Sequence, residues 1–378
     1  MTDTHNRLPG RRRFLLATGA AAAGTSSLAR IAQACSSRSV RVGVILPNSN
    51  RYPELAREFL AGFEAYGAAQ AAPTRVEVVP FACAADGGAS AALTAAAQCR
   101  GVDAVAGFAG GDLAARMALD PGAVPFVACD LGADFVRARR ANPLRVRHSL
   151  GYWQANYAMG RWAAANLGRR VLIAADFLES GHDVVYAFRR AFEAAGGEVV
   201  GVVRTGLPDG TGALPEVARS VRSNVPDFVY AFYSGKRAGD FLRTYQAEGL
   251  AGTTPLAGAA MLTERAGAAA FEGIVTAASW APDTAGPFAV LGYEAAQRIA
   301  TGAAALGGAT GDARAFAQAI ASEPVEPRPT YVRRLTRTAA GLREAVVERL
   351  PASELAGEAH RELRTLVKTG WSQAYLTA

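Results

Sequence analysis

From residue 40 onward the chain alternates short apolar runs with longer amphipathic stretches. Positions 40–46 form a β-rich run closed by Pro47 and the polar turn Asn48-Ser49-Asn50, which predicts a buried strand. Pro53 suits the first turn of a helix, and Leu55, Phe59, Phe63 and Tyr66 recur along one helical face. Further strands are expected at 75–82, 102–108 and 123–129, with a small-residue helix at 88–98 and another helix between the last two strands. After Gly151 the rhythm resumes. Helices at 153–167, 184–195, 213–223 and 237–248 alternate with strands at 171–175, 198–204, 228–232 and 255–258. Repeated strand–helix units with short loops specify parallel sheets covered by helices on both faces, and right-handed crossovers make each a doubly wound layer.

The units are too many for one tidy sheet. The stretch 145–151 interrupts the rhythm and is the expected first crossing between two lobes. A second crossing fits 275–282, where a strand runs on into Trp280-Ala281-Pro282. Helices at 287–305 and 312–322 then return to the first lobe. Near the end, 330–335 and 342–350 read as paired strands around Ala339-Ala340-Gly341, followed by a charged helical tail at 353–375. The expected fold class is α/β with two doubly wound parallel-sheet lobes. Lobe one takes 40–147 plus 282–330, and lobe two takes 148–281 plus 331–378. A length of 378 residues, half of them hydrophobic, agrees with two domains rather than one.

The first 34 residues change the picture of where the chain works. Arg11-Arg12-Arg13-Phe14-Leu15-Leu16 precedes an Ala-rich apolar run that ends at Ala23, too short to span a ~30 Å hydrocarbon core. Ala32-Gln33-Ala34 supplies a small-x-small cleavage site, so 1–34 reads as an export leader of the twin-arginine kind and the mature chain as periplasmic. Cys35 follows directly and is a candidate lipid-attachment residue, the one expected route to a membrane. The leader carries a net +4 of the formal +7, and the remaining Arg residues are scattered, so no nucleic-acid surface is expected. An oxidising compartment permits disulfides among Cys83, Cys99 and Cys129. A helix at 88–98 would hold the first two too far apart to bridge.

The motifs of common catalytic sites are missing. No phosphate loop, nucleophile elbow or C-x-x-C occurs, and Gly107-Phe108-Ala109-Gly110-Gly111 lacks dinucleotide spacing. His148, His182 and His360 have no metal-like partners at helical or loop spacing. Glu179, Ser180, His182 and Asp183, at a strand end and helix start, read as ordinary caps. No catalytic residue, metal or cofactor is therefore expected.

Several stretches, in this order and spacing, resemble the type I periplasmic solute-binding proteins of the branched-chain amino acid transporter family. They are Arg41-Val42-Gly43-Val44-Ile45-Leu46-Pro47 with Asn50-Arg51-Tyr52, Phe59-Leu60-Ala61-Gly62-Phe63-Glu64, and Gly181-His182-Asp183 through Gly196-Gly197. Pro226-Asp227-Phe228-Val229-Tyr230 with Gly239-Asp240-Phe241-Leu242-Arg243, and Phe271-Glu272-Gly273-Ile274-Val275, complete the set. The resemblance implies two lobes on a multi-strand hinge that close over a small-molecule solute. It also implies partners, the permease and ATPase subunits of an ABC importer. Open parallel sheets bind ligands beyond the carboxyl ends of their strands. That places the expected site at Tyr52, Ala109, Gly110, Gly111, Asp130, Gly132, Ser180 and Ser234, with Trp153, Tyr233 and Trp280 offering rings that stack on a solute. Tyr152 and Phe232 are further aromatics near the cleft.

The family's amino-acid clamp is not reproduced. Its hydroxyl positions fall on Gly111 and Gly132, and its ammonium-pairing acid falls near Ala259. A small organic solute, amino-acid-like or an aromatic or aliphatic carboxylate, is therefore expected, with leucine, isoleucine and valine binding poorly. Two rivals stay open: a sensor subunit of the same fold, and an exported α/β enzyme.

Overall fold

A computed structural model describes residues 39–47, 49, 52–69, 74–83, 101–108, 124–132, 143–180, 183–282, 284–322 and 328–351. These belong to a single unit, Arg38–Ala378. The expected leader, Cys35, the 88–98 helix, Cys99 and the 353–375 tail lie outside the described residues.

The first sheet has five parallel strands: β1 (Val40–Pro47), β2 (Val76–Cys83), β3 (Ala104–Phe108), β4 (Phe126–Asp130) and β5 (Arg145–Ser149). Their order is β2-β1-β3-β4-β5. β3 and β4 are buried at every position, which explains their near-continuous apolar sequence. β2 is an edge strand and tolerates Pro80 and the exposed Glu77. Helix α1 (Leu55–Ala68) lays Leu55, Phe59, Phe63 and Tyr66 into the core, as the spacing predicts.

The stretch read as a bare crossing is the fifth strand of this sheet. In β5 the buried Val146 and His148 alternate with the more exposed Arg145, Arg147 and Ser149. That alternation belongs to a sheet edge and lacks the apolar run of a central strand, so its sequence hides it. The passage to the second sheet is then Leu150-Gly151, after which helix α2 (Tyr152–Asn166) begins.

The second sheet has seven strands. They are β6 (Arg170–Asp176), β7 (Glu198–Thr205), β8 (Phe228–Phe232), β9 (Leu256–Ala259), β10 (Val275–Ala278), β11 (Thr330–Thr338) and β12 (Gly341–Leu350). Their order is β12-β11-β10-β9-β8-β6-β7. The five from β6 to β10 are parallel, and the β11–β12 hairpin extends them antiparallel. Strand parity sorts β8 between two cores. Phe228, Tyr230 and Phe232 pack with Phe188 and Phe192 of α3 (Asp183–Ala194). Val229 and Ala231 pack with Val217 and Val221 of α4 (Pro215–Asn224), and with Phe241 and Leu242 of α5 (Gly235–Ala247).

Two further helices, α6 (Pro287–Ala305) and α7 (Ala313–Ser322), follow the second sheet's parallel strands, and α6 packs on α1. The approach is set by reciprocal glycines. A Cβ at Gly62 would lie 2.1 Å from the Ala289 carbonyl oxygen, and one at Gly292 would lie 2.1 Å from that of Phe59. The two passages between the sheets are joined directly, because the Ser279 hydroxyl donates to the Leu150 carbonyl.

Candidate functional site

The carboxyl ends of the strands converge on a cluster of buried polar side chains. Tyr52, in the loop after β1, is 2% exposed and stands edge-on to Phe288 at 5.4 Å. The Gly235 amide, at the start of α5 in the second sheet, donates to the Tyr52 hydroxyl at 3.0 Å. Ser234 precedes that helix in extended conformation, and its hydroxyl donates to Glu179. Glu179 sits on a single helical turn, Phe177–Ser180, just beyond β6. It is almost wholly buried.

Tyr152 and Asn156 reach the same cluster from α2, one helical turn apart. The Asn156 amide donates to the Tyr152 carbonyl at 2.8 Å, and the Tyr230 hydroxyl donates to Asn156 Oδ1 at 2.9 Å. Burial pushes the Tyr152 phenol well above its ordinary range, with Glu179, Tyr230 and Tyr52 adding to the rise against a hydrogen bond from the Met261 backbone. Tyr152 thus remains a neutral phenol at the centre of the cluster.

Trp280 closes one side. Its ring centroid is 6.3 Å from that of Tyr152, and its indole donates to Glu264 at 2.8 Å. Behind it Arg333, 1% exposed, lies 5.6 Å over the indole and donates to the Trp280 carbonyl. Arg333 also donates to Glu344 at 2.8 Å and lies 3.6 Å from Glu264. Burial and the Glu344 charge raise the Glu264 carboxyl above its usual range despite Arg333 and Arg265. The network holds Trp280 by its indole nitrogen, its ring and its carbonyl.

The expected site residues divide between different places. Tyr52, Trp280 and Ser234 gather in or against the cluster. Tyr233 does not: it points to the opposite face of β8, stacks on Phe241 at 4.2 Å and shares a 3.0 Å hydrogen bond with Thr205. Parity decides this, since Ser234 and Tyr233 are adjacent and must face opposite ways. Phe232 is core, packed edge-on to Phe188. Asp130 takes a hydrogen bond from the Gly132 amide within its own turn and lies 3.7 Å from Arg147, so it acts as the turn's cap.

Gly132 has φ +97°, and a Cβ there would lie 2.7 Å from the Tyr152 amide nitrogen. Its carbonyl accepts from the Trp153 amide at 3.1 Å. The residue serves the close seating of this turn on α2. The Trp153 ring stacks on Tyr157, and its indole nitrogen is buried with no partner among the described residues. Ala109, Gly110 and Gly111 lie outside the described residues, as does the side chain of Ser180.

Three members of the cluster were absent from the expected set. Asn156 carries no signal beyond its helical spacing from Tyr152. Tyr152 was one aromatic among several. Glu179 read as a helix cap, and only its position just past a strand end marked it. Among the described residues, no group of three or more His, Cys, Asp or Glu side chains is placed to hold a metal ion.

Two doubly wound lobes, with polar chemistry gathered where their strand ends meet, define the architecture of the type I periplasmic binding proteins. The chain belongs to the periplasmic binding protein family, whose model matches residues 39–289. It is 30% identical over 221 residues to Leu/Ile/Val-binding protein homolog 6 of Brucella abortus (strain 2308), covering 56% of this chain and 55% of that one. The chain therefore matches about half the length of these curated relatives. The fold resembles an ABC transporter solute-binding protein from R. palustris in complex with benzoate, with TM-score 0.65 and 23% identity over 84% of this chain and 99% of the other. A solute-binding protein from Rhodopseudomonas palustris HaA2 in complex with p-hydroxybenzoic acid gives TM-score 0.70 and 21% identity, over 85% and 100% of the chains. The leucine-binding protein of Thermotoga maritima MSB8 gives 0.62 and 18%, over 82% and 99%.

Proposed function

We propose that this chain is the extracytoplasmic solute-binding component of an ABC importer, and that it takes a small aromatic or aliphatic carboxylate between its lobes. The observation that carries the reading is the hydrogen bond between Tyr52 and the Gly235 amide, which brings the strand ends of both sheets to one point. Around that point the chemistry suits a ring with an acid group. Tyr52, Tyr152 and Trp280 present aromatic surface. The start of α5 presents donors that an anionic or other acceptor group can use. Glu179 presents an acceptor for a solute donor such as a phenolic hydroxyl. Relatives of the same fold bound to benzoate and p-hydroxybenzoic acid support the solute class. The partners in this reading are the permease and ATPase subunits, the location is the periplasm, and the role is capture rather than catalysis.

Calorimetry on ligand-stripped protein tests it. Benzoate or 4-hydroxybenzoate is expected to bind, and leucine and valine to bind at least about tenfold more weakly, the loss that one missing charge-assisted bond produces. Tighter binding of leucine than of either benzoate overturns the solute class.

A further inference from the structure

We infer that the two lobes carry their own latch: the Tyr52 hydroxyl on the Gly235 amide, together with Arg265 held by Glu54 and Glu58, stabilises the closed cleft without a solute and makes closure sensitive to ionic strength. The consequence for affinity rests on the solute-binding reading above; the latch itself does not.

Tyr52, Glu54 and Glu58 follow β1 of the first sheet. Gly235 and Arg265 follow β8 and β9 of the second. Both contacts therefore run from lobe to lobe, and neither uses the segments that cross between them. Arg265 donates to Glu58 Oε1, and its other terminal nitrogen lies 3.9 Å from Glu54. Glu264 adds a further negative charge facing Arg265. The Glu58 side chain is only 16% exposed, against 34% for Arg265. The pair is thus partly shielded, yet open enough for salt to screen it.

Glu58 has a second feature. Its Oε2 is buried and has no partner among the described residues. In the closed form Arg265 is what offsets the burial of this carboxylate. With the lobes apart, water replaces the arginine at Oε1, while Oε2 stays beside Gly286 at the start of α6. Removing Arg265 therefore disfavours the closed form more than the open one. Tyr52 works in the same direction, since opening leaves the Gly235 amide to water. An ion pair of this exposure shifts an equilibrium about two- to fivefold, and an amide-to-hydroxyl bond about two- to tenfold. The closed fraction enters solute affinity directly, because the apparent dissociation constant is the intrinsic one divided by that fraction. Affinity then falls with salt even for an uncharged solute.

Small-angle scattering on the solute-free full chain is the test, at about 0.1 M and about 1 M NaCl, where the screening length falls from ~10 Å to ~3 Å. The wild type is expected to be compact at low salt and to expand at high salt. Arg265→Gln and Glu58→Gln are both expected to be expanded already at low salt and to respond little to more. Glu58→Gln keeps the side chain's shape, so it separates a lost latch from a damaged fold. A wild type whose radius of gyration ignores salt, or a Glu58→Gln protein as compact as wild type at low salt, overturns the proposal. No solute enters the experiment, so a chain that binds none of the carboxylates above can still show the latch, and one that binds them can lack it.

Discussion

The carboxyl ends of the two sheets are built differently. At the first sheet, Asp130 accepts from the Gly132 amide within its own turn and lies against Arg147, and Gly132 is pressed onto the start of α2. Its described loops offer the cleft backbone shape and one ring, Tyr52. At the second sheet, Glu179, Tyr230 and Ser234 bring functional groups, and Arg333 holds Glu264 and Glu344 behind Trp280. Among the described residues, the first end is shaped and the second is chemically equipped. A charged group can sit at the second because its partners come from several strands at once.

The sharpest way to break this comparison is to remove the central charge. Arg333→Met removes the cation between Glu264 and Glu344, with Arg265 still facing Glu264, and takes away the group over the Trp280 indole. Denaturant unfolding should show a loss of about 3–5 kcal/mol, the usual cost of breaking a buried pair from one side. A loss under about 1 kcal/mol would mean that the network is solvated and the second end is no better supported than the first.

The first lobe is expected to be the more acid-sensitive. His148, buried between β5 and α6, is held down to about 3 by burial first and then by Arg328 and Arg298. A depressed histidine contributes stability in its neutral form. That contribution is complete above the ordinary value near 6.5 and is lost as pH falls toward 3, at about 1.4 kcal/mol per pH unit. Thermal unfolding between pH 7 and 4 should therefore be steeper for wild type than for His148→Gln. Equal slopes would place the acid sensitivity elsewhere.

Gly132→Ala probes shape alone. A positive φ and a Cβ 2.7 Å from the Tyr152 nitrogen should cost about 1–3 kcal/mol in stability. If stability is unchanged, the turn is not pressed onto α2 as described. The smallest effect on stability, and the most specific on binding, is expected from Glu179→Gln. Its fold should stay within about 1 kcal/mol of wild type, while 4-hydroxybenzoate affinity drops about tenfold relative to benzoate. An unchanged ratio between the two ligands would remove Glu179 from solute recognition.

Much of the fold was legible before any coordinates. The order of strands and helices, the α1 face of Leu55, Phe59, Phe63 and Tyr66, and the closing hairpin follow from local periodicity and chain order, while the family rested on resemblance of particular stretches. Local pattern suffices there because a buried strand or an amphipathic face must show its burial in its own residues. β5 failed that test, since an edge strand needs only half its positions apolar. The site was less legible. Tyr233 and Ser234 stood side by side as equal candidates, and only the face of the sheet each meets sent one to Phe241 and the other to Glu179. The bond from Gly235 to Tyr52 joins residues 183 positions apart, and Trp162 meets Glu348 across a similar span. No local pattern encodes such pairs. They arise when two sheets, each specified by its own sequence, are packed against each other through shared helices and crossings, and packing alone decides which polar groups end up facing one another.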